Sequence, residues 1–210
     1  MTLPSSIPLM PVDPVTLEGR VVRLEPLSLD HLDALCAIGL DEDLWRWNAF
    51  PVRTPEAMRV YIETALAAQA QKTAIPFATV LKSENCVVGS TRLANIDRFN
   101  RHAEIGWTWI GRPWQRTAVN TEAKYLMLRH AFETLGCLRV ELKTDVLNER
   151  SRAAILRLGA TQEGIFRSHM ITETDRVRDS VYFSIIRSEW PAVKAGLEEK
   201  LAKPYPKPPV

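Results

Sequence analysis

Trp107-Thr-Trp-Ile-Gly-Arg-Pro-Trp-Gln-Arg-Thr-Ala-Val-Asn-Thr-Glu-Ala123 joins a strand-like run to a helix-like run through a short loop. A helix start carries N–H groups without carbonyl partners and the positive end of the helix dipole, two properties that suit a pyrophosphate. Arg112 and Arg116 add positive charge to the same loop. Taken alone, the stretch reads first as an ordinary strand-to-helix turn in which Thr117 or Asn120 caps the helix, because capping residues are common there. The elements on either side decide between the two readings.

Upstream, Ala103 to Ile110 alternates so that Ala103, Ile105, Trp107 and Trp109 fall on one strand face while Glu104 and Thr108 fall on the other. Two further strand-like runs, 77–81 and 86–93, precede it, and the turn signals at 82–85 and 97–101 make the three an antiparallel meander. A strand at 20–25 leads into a helix that Ser28 caps, with Leu29, Leu32, Leu35 and Cys36 on its apolar face. Thr54-Pro55 starts a second helix whose buried face includes Met58, Tyr61, Ile62, Ala65 and Leu66. Downstream, a mostly apolar helix over 119–135 ends at Gly136, a strand follows at 138–144, a helix at 148–158 stops at Gly159, and two strands close the pattern near 160–167 and 178–186. A helix joining the strand at 103–110 to the strand at 138–144 makes those two parallel neighbours. The fold class predicted is α/β: one domain with a mixed, mostly antiparallel seven-stranded sheet flanked by helices. The domain is expected over 16–200, after an extended, proline-bearing arm at 1–15 and before a Pro-rich tail at 201–210.

The chain has 210 residues, 46% of them hydrophobic, enough for one well-buried core. A formal net charge of +2 gives no basic excess of the kind a nucleic-acid surface needs. Cys36, Cys86 and Cys137 are odd in number and far apart, which argues against a disulfide framework or a zinc site. His31 and His169 have no partners at metal-ligand spacing, His130 reads as a core histidine and His102 as a turn residue that is an alternative base, so no metal is expected. The N-terminus has neither the charge nor the apolar run of a signal peptide, and no apolar stretch approaches the ~18 residues of a membrane span. A cytoplasmic location without membrane contact is expected.

The order of elements, the loop at 114–123 and the segment Asn148-Glu-Arg-Ser151 resemble the GNAT acetyltransferases, in the branch of the ribosomal-protein N-terminal acetyltransferases RimJ and RimL. The resemblance runs from about Leu17 to Trp190 and is strongest between Glu104 and Gly164. It implies acetyl-CoA as co-substrate, with its pyrophosphate on the backbone of Gln115, Arg116, Thr117, Ala118, Val119, Asn120 and Thr121. It also implies that Trp109, Ile110 and Gly111, splayed from the neighbouring strand, hold the pantetheine arm, and that Asn148 and Ser151 lie beside the thioester. Two departures stand out: Ala118 and Asn120 occupy positions where the family favours glycine, and Ile155 stands where many members carry a tyrosine acid. Alanine narrows the dihedral choice that glycine leaves open.

Amide formation needs a proton acceptor for the attacking amine and a donor for the carbonyl oxygen. Glu104 is the carboxylate for the first role, or else a strand residue paired with a cation such as Arg92; a backbone N–H near Trp109 or Ile110 fits the second. Ser151 is the nearby hydroxyl that could serve as acid for the departing thiolate. Trp45 and Trp47, between the first two helices, line an acceptor pocket or pack into the core. The acceptor expected is an amine-bearing small molecule or a protein N-terminus, and the apolar last strands permit a homodimer. An acyl-CoA-binding or sensor module without turnover remains the alternative function.

Overall fold

The computed structural model describes residues 9–205, so the first eight residues of the expected arm and the last five of the expected tail lie outside the described residues. One eight-stranded sheet forms the centre: β1 (Leu17–Glu18), β2 (Val22–Pro26), β3 (Ile75–Leu81), β4 (Cys86–Asp97), β5 (His102–Ile110), β6 (Arg139–Asp145), β7 (Thr161–Ile171) and β8 (Val177–Ile186), in the order β1-β2-β3-β4-β5-β6-β8-β7. The eighth strand, absent from the sequence reading, is the two-residue β1, which folds back on β2. All neighbours run antiparallel except β5 and β6, which are parallel as the helical crossover requires.

Among the described residues six α-helices flank the sheet: α1 (Leu32–Gly39), α2 (Glu42–Trp45), α3 (Pro55–Ala70), α4 (Ala118–Arg129), α5 (Glu149–Leu158) and α6 (Trp190–Ala202). Their starts obey local chemistry. The side chains of Thr54, Thr117 and Asn148 accept from Ala57, Val119 and Ser151 N–H groups, respectively. Ser28 begins a short 3-10 turn in a capping box with His31 before α1. Gly136 and Gly159 take the left-handed conformation that ends the helical segments before them. The last turn of the predicted 119–135 helix is a π-helix, His130–Thr134. The short α2 and the C-terminal α6 were not anticipated.

Two packed layers result. One face of the sheet carries Ile105, Val140, Leu142, Val181 and Phe183 against α4, α5 and α6. The other packs α1 and α3 through Leu35, Met58, Ile62, Trp45 and Trp109. Met10 and Val12 are also fully buried in the first layer, so the core draws on the proline-bearing arm.

Two bulges correct the simple alternation assigned to β5. Ser90 pairs with Trp109 and Arg92 with Gly106, so β5 holds one residue more than β4 there, and Trp107 sits in the bulge at φ +50°. The extra residue reverses the facing of everything after it. Trp107 and Trp109 therefore share the α1/α3 face with Glu104, while Thr108 joins Ile105 on the α4 face. In the second bulge, between the Ala94–Glu104 and Asp97–His102 pairs, β4 is the longer strand and Asn95 takes φ +47°.

Candidate functional site

Strands β5 and β6 pair at three positions only, His102–Arg139, Ala103–Val140 and Glu104–Glu141, and then part. Beyond Glu104, β5 continues with β4 alone. The Gly111 N–H donates to Val88, so alternation turns the Ile110 N–H and carbonyl the other way, toward the gap. The Gln115 amide donates to that Ile110 carbonyl at 2.8 Å and accepts from Arg150 at 2.8 Å, tying the loop to the strand end and to α5. Trp109 is buried between the sheet and α1, with its indole N–H unpartnered, and Gly111 leaves room for the Trp114 ring.

The loop turns into α4 through Arg116 at φ +63°. Thr117 caps the helix: its hydroxyl donates to the Trp114 carbonyl and accepts from Val119 N–H. The first-turn N–H groups of Ala118 and Asn120 have no intrahelical acceptor. Ala118 and Asn120 lie inside the helix with ordinary negative φ, so the dihedral limit expected from losing glycine does not act there; the left-handed position is Arg116. The Ala118, Val119 and Thr121 side chains are buried, Thr121 accepting from Arg157 of α5, and the Asn120 side-chain oxygen is buried without a partner. A hollow of about 550 Å³ lies along this turn, lined by Thr117, Ala118 and Val119 with Arg20, Val21 and Tyr205. The expected charge from Arg112 is spent elsewhere, since Asp41 and Asp43 clamp its guanidinium and raise its pKa. Arg116 is exposed beside the turn.

Across the gap, Asn148 caps α5 by accepting from Ser151 N–H at 3.0 Å, so both residues sit at the helix start as the motif requires. Ser151 is half-buried. Ile155 is buried in the core, 7% exposed, so it leaves no polar group at the family's tyrosine position.

Glu104 lies 4% exposed at the last paired position of β5. Its Oε2 accepts from Asn95 at 2.9 Å and from Lys143 at 3.0 Å, while Oε1 has no hydrogen-bond partner among the described residues. The cation expected beside it, Arg92, instead stacks between the rings of Tyr61 and Trp107. Trp45 is 5% exposed, donates its indole N–H to Gly39 and packs on Trp109 and Tyr61; it belongs to the core and offers no wall to an acceptor. Trp47 is half-buried, with Arg46 over its ring and Arg178 on its carbonyl.

Sequence reasoning passed over Lys143, Asp145, Tyr61, Arg178 and Tyr182, which share this face with Glu104. Asp145 is fully buried at the end of β6, paired with Arg176 and Arg178. The available signal was alternation in β6, which sets Glu141, Lys143 and Asp145 on one side, opposite Val140, Leu142 and Thr144. Among the described residues no group of His, Cys, Asp and Glu could hold a metal, and no helix is long and apolar enough to cross a membrane.

Known proteins share this arrangement. The Acetyltransferase (GNAT) domain family matches residues 22–161. A Bacillus subtilis (strain 168) protein named "Putative ribosomal N-acetyltransferase YdaF" is 31% identical over 173 residues, covering 81% of this chain and 92% of that protein. The crystal structure of a GCN5-related N-acetyltransferase from Brucella melitensis superposes with a TM-score of 0.85 at 34% identity, covering 93% of this chain and 90% of the other. RimJ from Mycobacterium smegmatis, in complex with CoA-disulfide, shares the fold at a TM-score of 0.79 and 22% identity, covering 89% and 95%. With a split parallel pair, a capped helix start beside it and a match across most of the chain, the protein belongs to the GNAT N-acetyltransferases.

Proposed function

We propose that this enzyme moves the acetyl group of acetyl-CoA onto a primary amine, on a protein N-terminus or a small molecule, by direct attack in a ternary complex. The observation that carries the reading is the gap between β5 and β6, with free helix-start N–H groups at one side and the buried Glu104 at the other. Bound acetyl-CoA supplies the thioester carbonyl. The N–H groups of Arg116, Thr117, Ala118 and Asn120 hold the pyrophosphate, with Gln115 fixing the loop, Val119 and Thr121 anchoring the turn, and Asn148 and Ser151 facing the thioester end. Trp109, Ile110 and Gly111 line the arm, and the Ile110 N–H, turned into the gap, stabilises negative charge on the carbonyl oxygen.

Glu104 accepts the amine proton at Oε1, the oxygen left free by Asn95 and Lys143. With Ile155 in the core, Ser151 is the hydroxyl placed to protonate the departing thiolate. A homodimer is part of the same proposal: β7 is an edge strand of eleven residues with Ile165 and Ile171 exposed, and a second copy of that edge is its natural partner. Light scattering tests it.

The decisive experiment is an acetyl-CoA-dependent screen of amines with thiol release as readout, run on wild type, Glu104→Gln and Asn148→Ala. Glu104→Gln is expected to lower kcat by about 10²- to 10³-fold with acetyl-CoA affinity kept. Asn148→Ala loses a helix cap, about 1 kcal/mol of stability, and weakens acetyl-CoA binding. Wild type that binds acetyl-CoA and acetylates nothing across a broad panel favours the sensor module; wild type that does not bind it sinks the proposal.

A further inference from the structure

Arg92 is 4% exposed, yet no carboxylate, carbonyl or hydroxyl among the described residues accepts from its guanidinium, and its Nε is fully buried without a partner. What holds it is aromatic: its Cζ lies 4.7 Å from the Tyr61 ring centroid and 4.9 Å from that of Trp107. Both rings are themselves fixed. The single proton of the Tyr61 hydroxyl is shared between the Ser90 hydroxyl at 3.2 Å and the Trp107 carbonyl at 3.1 Å, and Trp107 is held at φ +50° in the β5 bulge with 43% of its surface exposed. A bulky residue in left-handed backbone conformation is costly unless its surroundings require it.

The other charges on this face are accounted for. Lys143 is paired with Glu104, and Asp145 with Arg176 and Arg178. Among the described residues of this face Arg92 is the cation left without a carboxylate, and a second cation, Lys143, stands 6.0 Å from the centroid of the same Trp107 ring. A guanidinium held by rings and without an acceptor keeps the N–H fork that takes a carboxylate by two parallel hydrogen bonds.

Position limits what that carboxylate belongs to. Arg92 faces Gly106, and Ile110 faces Gly89, three residues from Arg92 on β4 and about 10 Å along the strand at roughly 3.3 Å per residue. The arginine side chain spans part of that distance. We infer that the acceptor is an amine carrying a carboxylate a few bonds from its nitrogen, and that Arg92 is the specificity residue that reads it. This rests on the acetyl-transfer reading above. The carboxylate has two sources: that of a free amino acid, or an Asp or Glu side chain in the first residues of a peptide.

The test uses matched pairs: alanine and alaninamide, β-alanine and its amide, and C-terminally amidated Ala-Asp-Ala and Ala-Asn-Ala. Binding to the CoA-loaded protein by calorimetry and acetylation by kcat/KM are both measured. Wild type is expected to favour the acidic member of at least one pair by tenfold or more, mainly through KM, and the pair that responds identifies the source. Arg92→Met is expected to bring the ratio to about one with CoA affinity unchanged; Arg92→Lys, which keeps the charge and the fold but not the fork, falls between. Acidic compounds that bind preferentially but are not acetylated overturn the acetyl-transfer reading and leave the carboxylate site standing. Equal binding of acid and amide by wild type, or a preference that survives in folded Arg92→Met or is undiminished in Arg92→Lys, overturns the inference.

Discussion

Lys124 sits on the sheet-facing side of α4, fully buried, with its ammonium on the Thr108 and Thr91 hydroxyls and no carboxylate beside it. Burial disfavours the charged form and brings its pKa down from 10.5 to about 7. Below pH 7 the folded protein bears the full cost of a buried charge. From pH 7 upward the unfolded chain keeps this proton and the folded one releases it, so stability rises with pH. The rise ends near pH 9, where the Cys137 thiol, pushed up to about 11 by burial, begins to act in the opposite sense. Lys124→Met is expected to stabilise the protein at pH 7 by about 1–4 kcal/mol and to flatten its urea midpoint between pH 7 and 9. Thr91 and Thr108 stay satisfied in that variant because they bond each other at 2.6 Å. A wild-type midpoint that falls with pH over that range would falsify this account. Nothing local in the sequence marks Lys124: it lies in an apolar run, and its isolation follows from which strand lies beneath it. Glu104 was legible as a candidate for the same strand-level reason, but its partners, Asn95 and Lys143, depend on a bulge and on a strand 39 residues away.

Between elements, the site depends on how closely β4 and β5 approach where β5 leaves β6. Gly89 lies opposite Ile110, and a methyl group there would overlap the Trp109 carbonyl oxygen. That oxygen is backbone and cannot swing aside, so Gly89→Ala must push the Trp109–Gly111 segment outward, into the gap. The expected result is a rise in acetyl-CoA Kd of tenfold or more, read by calorimetry, with a destabilisation of about 1–3 kcal/mol. Unchanged affinity would mean that this strand end does not line the cofactor arm. Helix boundaries here were readable because caps are local: Thr54, Thr117, Asn148, Gly136 and Gly159 each act within a few residues. The bulges were not, because strict alternation assumes a period of two, and only the pairing with β4 shows that Trp107 is an inserted residue. Consequently Trp107 and Trp109 were assigned to the face opposite Glu104. The structure puts all three on one face, where the 43%-exposed Trp107 offers an aromatic surface that the buried Trp45 and Trp109 do not.

At the scale of the molecule, α4 is held from both ends of the chain. Glu122 accepts from the N–H groups of Arg20, Val21 and Val22, pinning the β1–β2 turn against the helix. From the other end α6 lies across α4: Trp190 stacks on Phe132 with ring centroids 5.3 Å apart and donates to Glu133, Glu198 accepts from Tyr125, and the Leu201 carbonyl accepts from Arg20. The sequence holds the signal for α6, with Pro191 at its start and Trp190, Val193, Leu197 and Leu201 at helical spacing, but the sequence reading assigns no element after the strand at 178–186. The family match ends at residue 161, whereas β8 sits between β6 and the edge strand β7 and α6 closes the core above it. Packing therefore makes the chain beyond residue 161 part of the same cooperative unit as the loop that starts α4. Trp190→Ala removes a 6%-exposed indole at that junction and should cost about 3–5 kcal/mol. It should lower the urea midpoint as one transition seen equally by far-UV circular dichroism and by tryptophan fluorescence. Two separated transitions, or a loss below about 1 kcal/mol, would mean that α6 docks on a domain already complete without it. The turn at Ala118 would then owe its position to the sheet and Glu122 alone.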